Sequence, residues 1–415
     1  MKTQSFGGLS VLVAALIFAT TIIVPAQAQT FTVLYNFSGS DGSGPSGSLV
    51  RDSAGNLYGT TYSGGTYTAG VAFKLDPSNN ETILFDFSPN NSRGAFPDYG
   101  LTMDKQGNLY SPADGGSPKG GGLLWELSPN GKEKVLWDFG GCFGCRKPGV
   151  AQGRLLMDAS GNLYGVTALG GVKGVGPECQ LYGCGVVYEL DTAGKLHVLH
   201  AFTGGADGGS PYGALLQDAM GNLYGAALTG GDLSCPEFPN LGCGTVFKLI
   251  PNKKFTVLHT FTGGRDGAGP YGGLVMDNAG NLYGAANVGG NSNCYKGCGT
   301  LFKIDTDGKF TVLYTFEDGE DGSGPNGNLV IDSHGNLYGE TQGLNTNSYY
   351  GTVYELNPAR KMKVLHVLNG SPDGADPVGG LIRDSGGNLY GVAYQGGSGN
   401  GCLDVGCGTV FKVTP

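Results

Sequence analysis

Gly379-Gly380-Leu381-Ile382-Arg383-Asp384-Ser385-Gly386-Gly387-Asn388-Leu389-Tyr390-Gly391 is the last of seven versions of one pattern in this chain. The shared kernel is Leu-x-x-Asp-x-x-Gly-Asn-Leu-Tyr, with its tyrosine at Tyr58, Tyr110, Tyr164, Tyr224, Tyr283, Tyr338 and Tyr390. Successive tyrosines lie 52, 54, 60, 59, 55 and 52 residues apart. A period near fifty marks a repeat architecture, in which each unit buries its apolar faces on its neighbours.

The unit over residues 272–316 shows the plan. Segment A is residues 273–277, B is 281–286, C is 299–304 and D is 310–316. Each is too short for a stable helix and rich in branched or aromatic residues. A joins B through Asp277-Asn278-Ala279-Gly280. There the aspartate can bond the backbone two residues on, and the glycine takes the left-handed position. The B–C link varies, from short at residues 66–69 to long at 172–184 and 232–243. Surface loops absorb such variation.

Each unit therefore reads as a four-stranded antiparallel meander. Alternation places Val312, Tyr314 and Phe316 on one face of D, and Leu313 and Thr315 on the other. Two apolar faces need a neighbour on each side, which is the blade of a β-propeller. A parallel β-helix has a far shorter repeat. The mature chain opens on a D segment, residues 31–37, and closes on a C segment, residues 408–413. A ring would supply the missing last D strand from the N-terminus and remove both open edges. The expectation is an all-β, seven-bladed β-propeller with four antiparallel strands per blade, closed by the N-terminal strand, as a single domain over residues 29–415.

Residues 1–28 read as a signal peptide. Lys2 gives a positive start, an apolar run spans residues 7–24, and Pro25-Ala26-Gln27-Ala28 is a small-x-small cleavage pattern. The net charge of −9 becomes −10 when Lys2 is removed, with no basic stripe. That excludes nucleic acid as the expected partner. No second apolar run of spanning length occurs, so no integral membrane association is expected after cleavage. The 79 glycines recur at fixed points between apolar segments, so they mark turns rather than disorder.

Ten cysteines behind an export signal point to disulfides. They fall in close pairs: Cys142 with Cys145, Cys179 with Cys184, Cys235 with Cys243, Cys294 with Cys298, and Cys402 with Cys407. Zinc would need four converging ligands, and each site offers two cysteines with no histidine at ligand spacing. Topology puts D–A and B–C links on one face of the disc, with every cysteine and the Asp-Gly-x-x-Pro links. This loop face is the expected binding surface.

His200, His259 and His366 occupy the D-strand place held elsewhere by Tyr35, Phe85, Trp137 and Tyr314, and read as packed aromatics on separate blades. His197 and His334 complete no catalytic or metal set. The kernel aspartates Asp52, Asp104, Asp158, Asp218, Asp277, Asp332 and Asp384 read as turn closers, and the kernel tyrosines as packing between blades. Arg51 and Arg383 share one place in segment A of the first and last units. They form a channel anion site if that place faces the axis, and are paired or solvated if it faces the neighbouring blade. No catalytic residue, cofactor or metal site emerges.

The units, with Gly-Asn-Leu-Tyr-Gly followed by Gly-Thr-Val-Phe-Lys-Leu and Thr-Val-Leu-His-Thr-Phe, resemble the GloVer (Gloeo/Verruco) tandem repeat of secreted bacterial proteins, some described as "choice-of-anchor". The resemblance covers nearly the whole mature chain. Blade two departs from it, with Ser111-Pro112 after its tyrosine and Leu124-Trp125-Glu126 in segment C. The resemblance implies an exported repeat protein. Ending at Pro415 directly after a C segment favours release to the medium or residence in the periplasm over anchoring. The functional expectation is a monomeric extracellular binding module for a glycan or protein. The alternative is an extracellular enzyme (a lyase, lactonase or glycosidase) at the channel mouth.

Overall fold

Thr30–Asn36 pairs antiparallel with Thr409–Thr414, the C strand of the last unit. The ring is thus closed by the chain's own beginning. The computed structural model describes residues 29–89, 94–117, 121–140, 149, 151–250, 254–343, 350–399, 401–402 and 406–415. The signal peptide at residues 1–28 lies outside them, and so do Cys142 and Cys145.

Seven sheets, each with strands in the order A-B-C-D, form a seven-bladed propeller. In blade 1 they are Ser43–Arg51, Leu57–Ser63, Val71–Leu75 and Glu81–Asp86. Blade 7 takes Leu389–Gln395 as B, Thr409–Thr414 as C and Thr30–Asn36 as D. A six-residue helix, Pro177–Tyr182, lies inside the long B–C loop of blade 3.

The kernel aspartate builds each A–B turn. In blade 5, Asp277 Oδ1 accepts the N–H of Asn281 at 2.9 Å. Its Oδ2 accepts Asn281 Nδ2 at 2.7 Å and the hydroxyl of Tyr283 at 2.9 Å. The same three bonds recur from Asp52 to Asp384. They hold the aspartates below their usual pKa despite the opposing effect of burial.

The core lies between blades. The residue ending each D strand is buried against strand C of the next blade. Phe37 meets Phe73, Phe87 meets Trp125, and Phe261 meets Phe302, with ring centroids 5.1–5.3 Å apart at steep angles. Such edge-to-face pairs add to the gain from burial. Strict alternation within D does not hold. The C–D register skips one residue in every blade, for example between Leu301/Tyr314 and Phe302/Val312. Leu313 is the bulged residue, and it packs with Tyr314 into the same interblade cluster.

At the axis the A strands converge closely. A Cβ added to Gly47, whose φ is +69°, would sit 2.2 Å from the backbone nitrogen of Gly100 in the next blade. Only glycine allows that approach in that conformation.

Candidate functional site

The A strands begin on the loop face, just after the D–A links. The first residue past each link proline turns toward the axis, at Ser46, Asp98, Tyr212, Tyr271, Asn326 and Val378. B strands end on the same face, where the fourth residue after the kernel tyrosine reaches inward at Tyr62, Asp114, Gln342 and Tyr394. Together they enclose a funnel of about 450 Å³ to which all seven blades contribute.

Acidic groups cluster on one side of this mouth. Tyr99 stands where the other six units carry glycine. Its hydroxyl donates to Gln152 Oε1 and lies 3.4 Å from Asp114 Oδ2. Asp114 Oδ1 is buried and has no hydrogen-bond partner among the described residues. Burial first, and then the charge of Asp98, push the Asp114 carboxyl up to about 7, against the Tyr99 hydroxyl, which lowers it. Burial also raises Asp98, opposed by the nearby Ser46 hydroxyl, and raises Asp376. Two close carboxylates in a poorly solvated site cannot both ionise easily.

The other side is aromatic and basic. Tyr212 and Tyr271 stack at 4.9 Å with their planes 27° apart. Tyr62 and Tyr394, tilted at 6.4 Å across blades 1 and 7, stand instead on the acidic side, near Asp98. Arg154, on strand A of blade 3, borders both the funnel and a cavity of about 650 Å³ toward the opposite end of the channel. Met103, Met157, Met276 and Ile331 line that far end together with Arg383. Beside the funnel an apolar recess of about 460 Å³ shares Tyr212 with it and is lined by Leu228, Phe238 and Leu241.

Of the five expected disulfides, four are formed among the described residues: Cys179–Cys184, Cys235–Cys243, Cys294–Cys298 and Cys402–Cys407. The fifth expectation, a bond between Cys142 and Cys145, falls on residues outside those described. The first two of the four bonds brace the loops around the apolar recess. Cys235, Glu237 and Cys243 cluster, but the two sulfurs are bonded to each other and offer no thiolate to a metal.

Arg51 lies 5.8 Å over the Tyr390 ring, and Arg383 lies 5.9 Å over that of Tyr338. Each arginine thus rests on the kernel tyrosine of the preceding blade. His200, His259 and His366 stack on Phe255, Phe310 and Phe31 of the following blades. Their Nε2 atoms meet Asp207, Asp266 and Asp373 of the Asp-Gly links. Those carboxylates also accept backbone N–H groups, so they serve the link itself.

The sequence reading found no non-repeated acidic group that must converge. Asp98, Asp114 and Asp376 correct it. For Asp98 and Asp114 the signal was present at two places in the repeat, the residue after the link proline and the fourth after the kernel tyrosine, whereas Asp376 precedes its proline. Both places vary between units while their neighbours recur. Blade two's departure at Ser111-Pro112 leads directly into Asp114.

The chain matches the model of the Gloeobacter/Verrucomicrobia repeat over residues 17–179, 149–342 and 294–415. No curated protein sequence matches it. Among solved structures it is similar to virginiamycin B lyase from Staphylococcus aureus, with a TM-score of 0.60 and 12% identity over 93% of this chain and 99% of that one. It is also similar to the periplasmic gluconolactonase of Pseudomonas aeruginosa, with a TM-score of 0.49 and 17% identity over 80% of this chain and 85% of that one. At 12% identity the likeness to the lyase speaks for the fold alone.

Proposed function

The chain belongs to the Gloeobacter/Verrucomicrobia repeat family, and from that premise we propose that it is an exported binding protein that takes a saccharide into the channel mouth. One observation carries the reading: Tyr62, Tyr99, Tyr212, Tyr271 and Tyr394 converge in one funnel with carboxylates and side-chain amides. Sugar rings present C–H faces that lie on aromatic rings, and hydroxyls that donate to carboxylates and pair with amides. A concave site with a few placed polar groups suits such a ligand. The four disulfides fit an oxidising compartment, in keeping with removal of residues 1–28.

A glycan array, followed by calorimetric titration of the best ligand, tests this. Tyr271 is 39% exposed, so Tyr271→Ala should fold normally. It should weaken saccharide binding at least tenfold. Unchanged affinity in both Tyr271→Ala and Tyr212→Ala would defeat the reading, as would binding confined to proteins.

Asp98 and Asp114 favour a second reading, an enzyme acting on the bound sugar. Two neighbouring carboxyls that burial raises, Asp114 to about 7, are an arrangement for acid–base chemistry near neutral pH. Under it, Asp114→Asn would keep binding and abolish turnover. Turnover retained in that variant would remove this reading.

A further inference from the structure

Arg154 enters the waist of the channel from strand A of blade 3, Ala151–Met157. It lies deep enough in the protein that burial pushes its pKa down. It makes no hydrogen bond, ion pair or ring contact with any described residue. The corresponding places in the other units are Ser48, Gly100, Ala214, Gly273, Asn328 and Gly380, all small or neutral. Ser48 and Asn328 satisfy each other and the backbone. Ser48 Oγ donates to the carbonyl of Gly379 at 2.6 Å, Asn328 Nδ2 donates to Ser48 Oγ at 2.9 Å, and Asn328 Oδ1 accepts the N–H of Gly273 at 2.9 Å. Arg154 borders the channel, part-exposed, and nothing among the described residues accepts from its guanidinium.

A guanidinium keeps its charge, and in a confined, part-buried channel an anion interacts with it more strongly than at an open surface. Its planar fork matches a carboxylate in two parallel hydrogen bonds. We infer that the ligand carries a carboxylate, and that Arg154 holds it in the waist while the hydroxyls stay among the tyrosines of the mouth. The inference rests on the saccharide reading above and narrows it to acidic sugars. Asp98, Asp114 and Asp376 do not replace the missing anion, since none forms an ion pair with Arg154. They sit in blades 2 and 7, and burial favours their protonated forms.

The test compares glucuronic acid with glucose, and galacturonic acid with galactose, by calorimetric titration of the mature chain. Wild type, Arg154→Gln and Arg154→Lys are measured. The acidic sugar should bind at least tenfold tighter than its neutral partner. Arg154→Gln should erase that preference, read as the ratio of acidic to neutral affinity within each variant, and Arg154→Lys should restore part of it. In parallel, the thermal shift with acetate and with sulfate is recorded. Acetate should raise the melting temperature of the wild type but not of Arg154→Gln. If Arg154→Gln fails to fold, the wild-type preference and the lysine variant decide. Neutral and acidic sugars binding equally would overturn the inference and leave the saccharide reading standing. Acetate stabilisation through Arg154 without any sugar binding would do the reverse. Sulfate outperforming acetate, or neither anion acting through Arg154, would also overturn the carboxylate assignment.

Discussion

Glu340 has no counterpart among the repeats, where its place is taken by Thr60, Pro112, Val166, Ala226, Ala285 and Val392. It is fully buried on strand B of blade 6, Leu337–Thr341. Its Oε2 accepts the N–H of Gly380 at 2.9 Å, while Oε1 has no partner among the described residues. Burial pushes its carboxyl up to about 8, against the Gly380 bond. The folded pKa lies above the ordinary value of 4.5. The folded state therefore holds this proton more tightly than the unfolded chain. Stability should fall as pH rises from about 4.5 to about 8. Glu340→Gln keeps an acceptor for Gly380 and carries no charge. It should match wild type within error near pH 5 and exceed it by about 1–3 kcal/mol at pH 9 in urea unfolding. A variant less stable than wild type at pH 9 would contradict this. The kernel aspartates show the opposite kind of legibility. Local spacing gave their bond to the backbone two residues on, while those to the asparagine and tyrosine four and six places on appeared only in the structure.

Strand D shows what a segment reading sees and what it misses. Its aromatic ending was plain in the sequence, and Phe261 is indeed fully buried against Phe302 and Phe310 of the next blade. Phe261→Ala should cost about 3–5 kcal/mol, measured by denaturant unfolding, because the rigid neighbouring strands cannot close the space. A loss below about 1 kcal/mol would mean that the interblade layer collapses freely. The bulge three residues earlier was not legible. Strict alternation sends Leu313 away from Tyr314, whereas the bulge turns both into one cluster. Bulges answer to the twist that packed blades demand, and no single segment encodes that twist.

Ring closure belongs to the whole molecule. Without residues 29–37 the strand Thr409–Thr414 would present an open edge. Phe31 would leave His366, and Phe37 would leave Phe73. Exposed edges of this kind pair with other chains. The truncated protein should self-associate on size-exclusion chromatography and lose cooperative unfolding. A peptide of residues 29–38 added in trans should recover the monomer peak. A truncated chain that stays monomeric and melts as sharply as wild type would show that the strand is dispensable.

Seven units, their four strands, the closing strand and the four cysteine pairs of the B–C loops could all be read from spacing along the chain. Each is a statement about residues within one period or about the two ends of a counted series. The funnel could not be read that way. Asp98, Asp114, Arg154, Tyr271 and Asp376 come from four blades, and none has a local role that marks it. They become a site when the ring brings the starts of the A strands and the ends of the B strands to one axis. Burial on that axis then sets their protonation and leaves Arg154 without a partner among the described residues, so the chemistry of the mouth is a property of the closed wheel.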